Sequence, residues 1–368
     1  MSKSILIFSD EFPPDVGGAG FVAMQYAESL SSVGYKVTVS TRFKGKNKQN
    51  SARYFIKYSL DIGLSIFSHW LVRWDLQKYD VILLNDPAAM YIAGIFFGKK
   101  NLSKCICFFH GSEVEYIFKK PKLVLKFFNY KFFVTRALRH SANMIVVSSF
   151  LKKKVVNYFN QNGVSINKTP VVIRNGVDKL LFSPVANSSQ KRGKYFLVSC
   201  SRVVKTKGYV EMLNIFFRLN KKFPNTFHWN IVGDGVFMHD LKLMISNLNL
   251  SKCVTFFGVM DKEGVASVYN KSDIFWLLSQ HEEGFGLSWL EAQICGLPAI
   301  SLNNGAVKEV LLSRHSLIAE NTMEVYDYLA RIVDNGFIVP RAEVRSSVLE
   351  LSSEVMVQNL IKIINEIK

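Results

Sequence analysis

Short, wholly apolar runs alternate with segments of helical length along this chain, and the alternation restarts once after a single polar break. The first series contains Ile5–Phe8, Val81–Leu84, Cys105–Phe109, Met144–Val147 and Val171–Ile173, with an alternating strand at Lys36–Thr41 and a helical segment over Phe21–Val33. A strand that is apolar at every position must be buried on both faces, as in a parallel sheet covered by helices on both sides. The stretch from Ser183 to Gly193 is polar and rich in breakers, which marks a linker. Beyond it Tyr195–Ser199, Trp229–Val232, Val254–Phe257, Ile274–Leu278 and Pro298–Leu302 read as strands, and Tyr209–Lys222, Phe237–Leu248 and Leu287–Cys295 as helices. The expected organisation is an α/β chain with domains over 1–185 and 195–342, a linker over 186–194 and a closing helix over 343–368. That helix rests on the spacing of Val344, Val348, Leu351, Val355, Leu360 and Ile364. Two such halves imply a cleft, with ligands at the carboxyl ends of the strands.

Length agrees, since 368 residues suit two domains of roughly 150–200 residues each. With 49% hydrophobic and 20% charged residues, the chain is neither disordered nor of low complexity. No apolar run approaches the roughly 18 residues of a spanning helix, and Ile5–Phe8 is too short for a signal peptide. A soluble chain on the cytoplasmic side is expected. Five cysteines include no C-x-x-C pair, so buried reduced thiols are expected; seven histidines include no H-E-x-x-H cluster, and no metal site is expected.

The net charge of +17 is lopsided. Residues 1–190 carry 26 Lys/Arg against 11 Asp/Glu, and residues 191–368 carry 20 against 18. The excess peaks between Lys99 and Lys154, where 13 basic residues meet only Glu113 and Glu115, and the run from Phe118 to Val134 interleaves Lys with Phe. A solvated basic face, a nucleic-acid surface and an anionic membrane surface all fit such a run. No nucleic-acid module accompanies it, so no nucleic-acid partner is expected; a membrane surface bound through the basic N-terminal domain is.

The chemistry-bearing residues gather in the second half. Gly284 and Gly286 fall between a strand and a helix, where backbone N–H groups can face an anion. Glu283 precedes that helix and Glu291 lies eight residues on, about 12 Å apart if the stretch is helical. That exceeds the roughly 5–9.5 Å of paired glycosidase carboxylates and suits an elongated ligand with hydroxyls at both ends and phosphates between, such as a nucleotide sugar. Arg202 offers a forked donor and Lys207 a point charge after the first strand of this half, the complement of a diphosphate.

Taken in order, the motifs resemble the GT-B-fold retaining glycosyltransferases known as glycosyltransferase family 4. The resemblance rests on Pro13-Pro14-Asp15-Val16-Gly17-Gly18, Phe109-His110-Gly111-Ser112-Glu113, Asn175-Gly176-Val177-Asp178 with Phe182, Arg202 with Lys207-Gly208, Gly233-Asp234-Gly235, Glu283 with Glu291, and a variant G-G-x-x-E turn over Gly305–Glu309. It implies two Rossmann-like domains with parallel sheets facing across a cleft and a C-terminal helix crossing back. It also implies that Arg202 and Lys207 hold the donor pyrophosphate, that Glu291 takes the ribose hydroxyls, and that Glu283 with the Phe285, Gly286 and Leu287 backbone meets the donor sugar and phosphates. Gly17 and Gly18 would let backbone approach the donor, and His110 would lie near the transferred sugar. Glu283 and His110 are thus the candidate catalytic residues, with no protein nucleophile, no divalent metal and retention of configuration.

Three departures affect the expected donor pocket. Ser201 stands where Gly is usual, Trp289 lies near a common Pro position, and residues 310–318 lack the usual glycines. The expected function is transfer of a hexose from a UDP- or GDP-sugar to a growing, lipid-linked glycan of O-antigen, lipopolysaccharide or capsule type, by a cytoplasmic enzyme peripheral on the inner face of the cell membrane. The rival readings are another GT-B enzyme, such as a nucleotide-sugar epimerase, or a catalytically inert basic membrane-binding relative.

Overall fold

The computed structural model describes all residues except 1, 14–16, 43–50, 52, 60–75, 120–128, 167, 186–193, 337–340 and 368. The chain divides into two compact units, Met1–Asn175 with Ser353–Lys368, and Gly176–Ser352.

Among the described residues the first unit holds a seven-stranded sheet of β1 (Ser4–Phe8), β2 (Lys36–Arg42), β3 (Phe55–Ser59), β4 (Val81–Leu84), β5 (Cys105–Phe109), β6 (Asn143–Val146) and β7 (Val171–Val172). Its order is β3-β2-β1-β4-β5-β6-β7, and every pair is parallel. The second unit holds β8 (Tyr195–Cys200), β9 (Phe227–Val232), β10 (Val254–Gly258), β11 (Ile274–Trp276), β12 (Ala299–Leu302) and β13 (Leu317–Ala319) in the order β10-β9-β8-β11-β12-β13, again all parallel. The uninterrupted apolar runs explain the central strands: β4 and β5 are buried at every position, as a strand with helices on both faces must be. Each order reverses beside its first strand, between β1 and β4 and between β8 and β11. The crevice outside the carboxyl ends at such a reversal is where doubly wound sheets take ligands.

The division falls at Asn175/Gly176, ahead of the breaker-rich stretch from which a boundary at 185 was expected. Residues 176–185 fold with the second unit because Phe182, 1% exposed, packs on Tyr269 with ring centroids 6.2 Å apart. Arg345 also donates to the carbonyls of Lys179, Phe182 and Ile294. Most of the expected linker lies outside the described residues.

The tail expected as one helix is two. Arg341–Ser346 belongs to the second unit and Ser353–Glu366 to the first. Val348 and Leu351 are buried in the intervening turn, so the apolar spacing runs on across the break and conceals it. The Ser353–Glu366 helix packs on the Gly18–Ser32 helix, and Lys3 Nζ donates to the carbonyls of Ile364 and Ile367 at 2.8 and 2.7 Å.

Candidate active site

In the second unit, β8 and β11 end side by side, and the loops that follow carry the expected cation and acid. Lys207 Nζ lies 2.5 Å from Glu283 Oε1, and Ser279 Oγ lies 2.8 Å from the same oxygen. Glu283 Oε2 has no hydrogen-bond partner among the described residues. The loops are locked by backbone: Gln280 N donates to the Thr206 carbonyl at 2.8 Å, and Ala306 N donates to the Glu283 carbonyl at 3.0 Å. Gly208 closes the Lys205–Lys207 turn at φ +78°, and a Cβ there would meet the Leu278 carbonyl at 1.9 Å. Only glycine permits so close an approach of the two loops.

Arg202 is exposed, and its guanidinium has no partner among the described residues. The turn that bears it interlocks with the Gly233–Gly235 turn: Val203 N donates to the Asp234 carbonyl and Phe237 N to the Val203 carbonyl, each at 3.0 Å. The Gly-Asp-Gly motif thus acts as a backbone brace for the Arg202 loop.

Glu291 sits in the Leu287–Ile294 helix, 2% exposed, with Oε1 paired to Lys262 Nζ. Around it the neutral forms are favoured: burial, with the Glu291 charge second, pushes the Cys200 thiol up to about 11 and the Cys295 thiol up to about 12. Neither is a thiolate nucleophile at neutral pH. Gly286 caps this helix in the left-handed region and Leu287 is its first residue. Phe285 is a core side chain at 2% exposure, so only its backbone can reach a ligand. Trp289, where Pro is usual, is buried with Nε1 donating to the Ile300 carbonyl.

In the first unit, His110 follows β5. The Asn85 amide nitrogen donates to Ser9 Oγ at 2.9 Å and to the Ala19 carbonyl at 3.0 Å, which leaves Asn85 Oδ1 to accept from His110 Nε2 at 3.0 Å. Nδ1 then carries the lone pair, and it is buried with no hydrogen-bond partner among the described residues. Burial lowers the imidazole pKa below its usual 6.5, against the opposing pull of the Glu113 charge and the Asn85 hydrogen bond. Glu113 itself accepts from the backbone nitrogens of His110 and Gly111 at 2.9 and 2.6 Å. His110 therefore presents a neutral acceptor.

Gly17 and Gly18 start the Gly18–Ser32 helix, but they differ. A Cβ on Gly17 would fall 1.5 Å from Glu11 Oε1, whereas one on Gly18 would meet nothing within 4 Å. An internal carboxylate thus already stands at this helix start, where the macrodipole favours negative charge.

The structure brings Lys207 and Glu283 into contact, and it pairs Glu291 with Lys262, a residue the motif reading did not single out. Asp261, the cap of the Lys262–Asn270 helix, was the available sign of a helix start there. Asn85 and Asp86 were also passed over. An Asn-Asp-Pro sequence directly after an apolar run marks a strand end, a helix cap and a first-turn proline, and Asp86 does accept from Ala89 N at 2.8 Å. Burial and the Asp10 charge push the Asp86 carboxyl up to about 6. Of the basic run, residues 120–128 lie outside the description. The Tyr130–His140 helix that follows exposes Lys131, Phe132 and Arg139, Phe132 by 64%. No helix among the described residues is long and apolar enough to cross a membrane.

Residues 16–179 match the family model described as Glycosyltransferase Family 4, and residues 171–343 the one described as Glycosyl transferases group 1. A protein of Klebsiella pneumoniae described as an uncharacterized 41.2 kDa protein in the cps region is 27% identical over 242 residues, which cover 64% of this chain and 63% of that one. The N-acetyl-alpha-D-glucosaminyl L-malate synthase of Bacillus anthracis is 24% identical over 321 residues, 81% of this chain and 79% of the relative. Among solved structures, Anabaena Alr3699/HepE in complex with UDP and glucose superposes with a TM-score of 0.77 at 18% identity, covering 99% of both chains. That likeness is one of fold.

Proposed function

We propose that this chain, a GT-B glycosyltransferase of the group 1 kind, moves a hexose from a UDP- or GDP-sugar to a growing, lipid-linked glycan with retention of configuration. The observation that carries the reading is the convergence on one sheet reversal: the loop after β8 bears Arg202 and Lys207, and the loop after β11 bears Glu283, in contact with Lys207. As the glycosidic bond breaks, negative charge grows on the diphosphate, and donors held in place beforehand lower that barrier. Arg202 supplies two N–H groups to it and Lys207 a compact positive charge, an arrangement that needs no divalent ion.

Glu283 Oε2 accepts a hydroxyl of the donor sugar, the backbone over Phe285, Gly286 and Leu287 meets the phosphates at a helix start, and Glu291 accepts the ribose hydroxyls. In the first unit, which takes the acceptor, His110 Nδ1 accepts a sugar hydroxyl and Gly18 leaves backbone open to a ligand. The relative from a cps region supports a capsule-type glycan. The basic charge of the first unit supports attachment to an anionic membrane surface on the cytoplasmic side.

A thermal-shift screen over UDP-, GDP- and ADP-sugars tests the donor assignment, because ligand at roughly 100 times its Kd stabilises by about 2.7 kcal/mol. One nucleotide class is expected to shift Tm. A flat response to all three would overturn the assignment. Nucleotide release that rises when acceptor is added distinguishes transfer from epimerisation.

A further inference from the structure

Glu283 is held in two independent ways. Its backbone is fixed by the loop after β12: Ala306 N donates to its carbonyl at 3.0 Å, and a Cβ on Gly305, at φ +67°, would meet its nitrogen and its carbonyl oxygen at 2.6 Å each. Its side chain is fixed by Lys207 Nζ and Ser279 Oγ, both on Oε1, at 2.5 and 2.8 Å. Those two donors answer differently to an anion. A diphosphate attracts the ammonium, whereas a hydroxyl has no net charge for it to draw on.

Ser279 lies just past β11 and is 3% exposed. Its hydroxyl stands 2.8 Å from Glu283 Oε1, 3.0 Å from the His281 carbonyl and 3.5 Å from the Thr206 carbonyl, and His281 N donates to it at 3.3 Å. A single O–H has one proton to give. The carboxylate is the nearest of these acceptors and carries a charge, and a bond to an ionised acceptor is roughly twice as strong as one to a neutral carbonyl. The proton therefore points at Glu283.

We propose that Ser279 is a positioning residue for Glu283, keeping the carboxylate aimed at the donor sugar once the diphosphate has drawn Lys207 away. The proposal rests on the reading that Lys207 meets a nucleotide diphosphate and Glu283 its sugar. Ser279 acts through Glu283 and makes no contact with the nucleotide, so its loss is felt in turnover and not in nucleotide affinity. A loop anchor behaves otherwise. Gln280 N, next to Ser279, donates to the Thr206 carbonyl at 2.8 Å, so loosening this loop frees the turn that bears Lys207 and weakens the nucleotide.

A double-mutant cycle on the full chain tests this, with wild type, Ser279→Ala, Glu283→Gln and the two substitutions together. Turnover is read as nucleotide release from saturating UDP-glucose or GDP-mannose, and affinity by calorimetric titration with UDP and GDP. Ser279→Ala should lower kcat about tenfold or more, the size of one hydrogen bond to a charged group, and change the nucleotide Kd less than about twofold. In the Glu283→Gln background the same substitution should cost less than about threefold, because the charged acceptor through which it acts is gone. Equal losses in both backgrounds, an unchanged kcat, or a nucleotide Kd weakened in step with kcat overturns the proposal and leaves Ser279 as a loop anchor. If Ser279→Ala fails to fold, Ser279→Cys, a weaker donor of similar size, takes its place in the same cycle. Wild-type turnover in Glu283→Gln, or a wild type that binds neither UDP nor GDP, would instead remove the reading beneath the proposal.

Discussion

Lys207 Nζ stands 2.5 Å from Glu283 Oε1, so the cation after β8 and the acid after β11 neutralise each other across the reversal of the second sheet. Under the proposed function, a diphosphate arriving at Lys207 would have to compete with a carboxylate already there. Opposite effects on nucleotide binding follow for the two partners. Lys207→Met should weaken UDP or GDP by about tenfold or more, the loss of a charge-assisted contact. Glu283→Gln should leave nucleotide affinity equal or slightly tighter, because the competing charge is gone, while turnover falls about 100-fold. Calorimetry with steady-state kinetics checks both. Weaker nucleotide binding in Glu283→Gln would sink the competition argument.

Glu291 is expected to act on binding rather than turnover. Glu291→Ala removes the acceptor proposed for the ribose hydroxyls and breaks the ion pair with Lys262, which is one-third exposed. The expected result is a rise of about 10- to 100-fold in donor KM, with kcat at saturating donor changed less than about threefold. A fall confined to kcat would contradict the assignment.

Much of this was legible before any coordinates. Ile5–Phe8, Val81–Leu84 and Cys105–Phe109 announce central parallel strands because each is apolar throughout, and all three are buried. Of the four edge strands, β7 and β10 were legible and β3 and β13 were not. β3 is Phe-Ile-Lys-Tyr-Ser, with Phe55 63% exposed, so it lacks the unbroken apolar pattern of a covered strand, and β13, Leu-Ile-Ala, is apolar but only three residues long, too short to stand out as a run. Arg202, Lys207, Glu283 and Glu291 stand out because they lie in motifs at fixed offsets. Lys262 does not, since its partner is 29 residues away and the contact depends on how two helices pack. The unit boundary escaped for a related reason: the polar stretch after Ser183 looks like a division, but Phe182 and Arg345 tie the residues just before it into the second unit.

Asp86 gives a pH test of the first unit. Its folded pKa is raised to about 6 from 3.8, by burial first and by the Asp10 charge second. A raised acid contributes stability that is present below about pH 4 and lost as pH rises through about 6. Asparagine caps a helix comparably and does not titrate. The Tm of Asp86→Asn relative to wild type should therefore move in the variant's favour between pH 4 and pH 7.5. His110, whose lowered pKa costs stability as pH falls below 6.5, is common to both proteins and cancels in the difference. A Tm difference independent of pH would refute the assignment of burial and Asp10 as the cause.

If Arg202 and Lys207 supply the charge at the leaving diphosphate, transfer should be unaffected by chelation. Activity in excess EDTA is expected to stay within about twofold of the untreated enzyme, whereas Arg202→Met should lower turnover about 100-fold. Loss of activity with EDTA that magnesium or manganese restores would show that a bound ion carries that charge instead.

The exposed face of the Tyr130–His140 helix offers a separate test of membrane attachment. Lys131, Phe132 and Arg139 lie in solvent there, and Lys99, Lys100 and Lys153 are exposed elsewhere in the same unit. Each basic side chain near an anionic surface contributes about 1 kcal/mol, and a ring at the headgroup level adds the burial of its apolar area. Co-sedimentation with vesicles is expected when the lipid is anionic, to weaken as salt rises, and to be negligible with neutral lipid. Phe132→Asp replaces the exposed ring with a charge that an anionic surface repels and should lower binding about tenfold or more. It should leave turnover on a soluble acceptor within about twofold, because Phe132 is exposed and belongs to the first unit, whereas Lys207, Glu283 and Glu291 belong to the second. Equal binding to neutral and anionic vesicles, or an unchanged Phe132→Asp, would mean that the basic excess serves some end other than the bilayer.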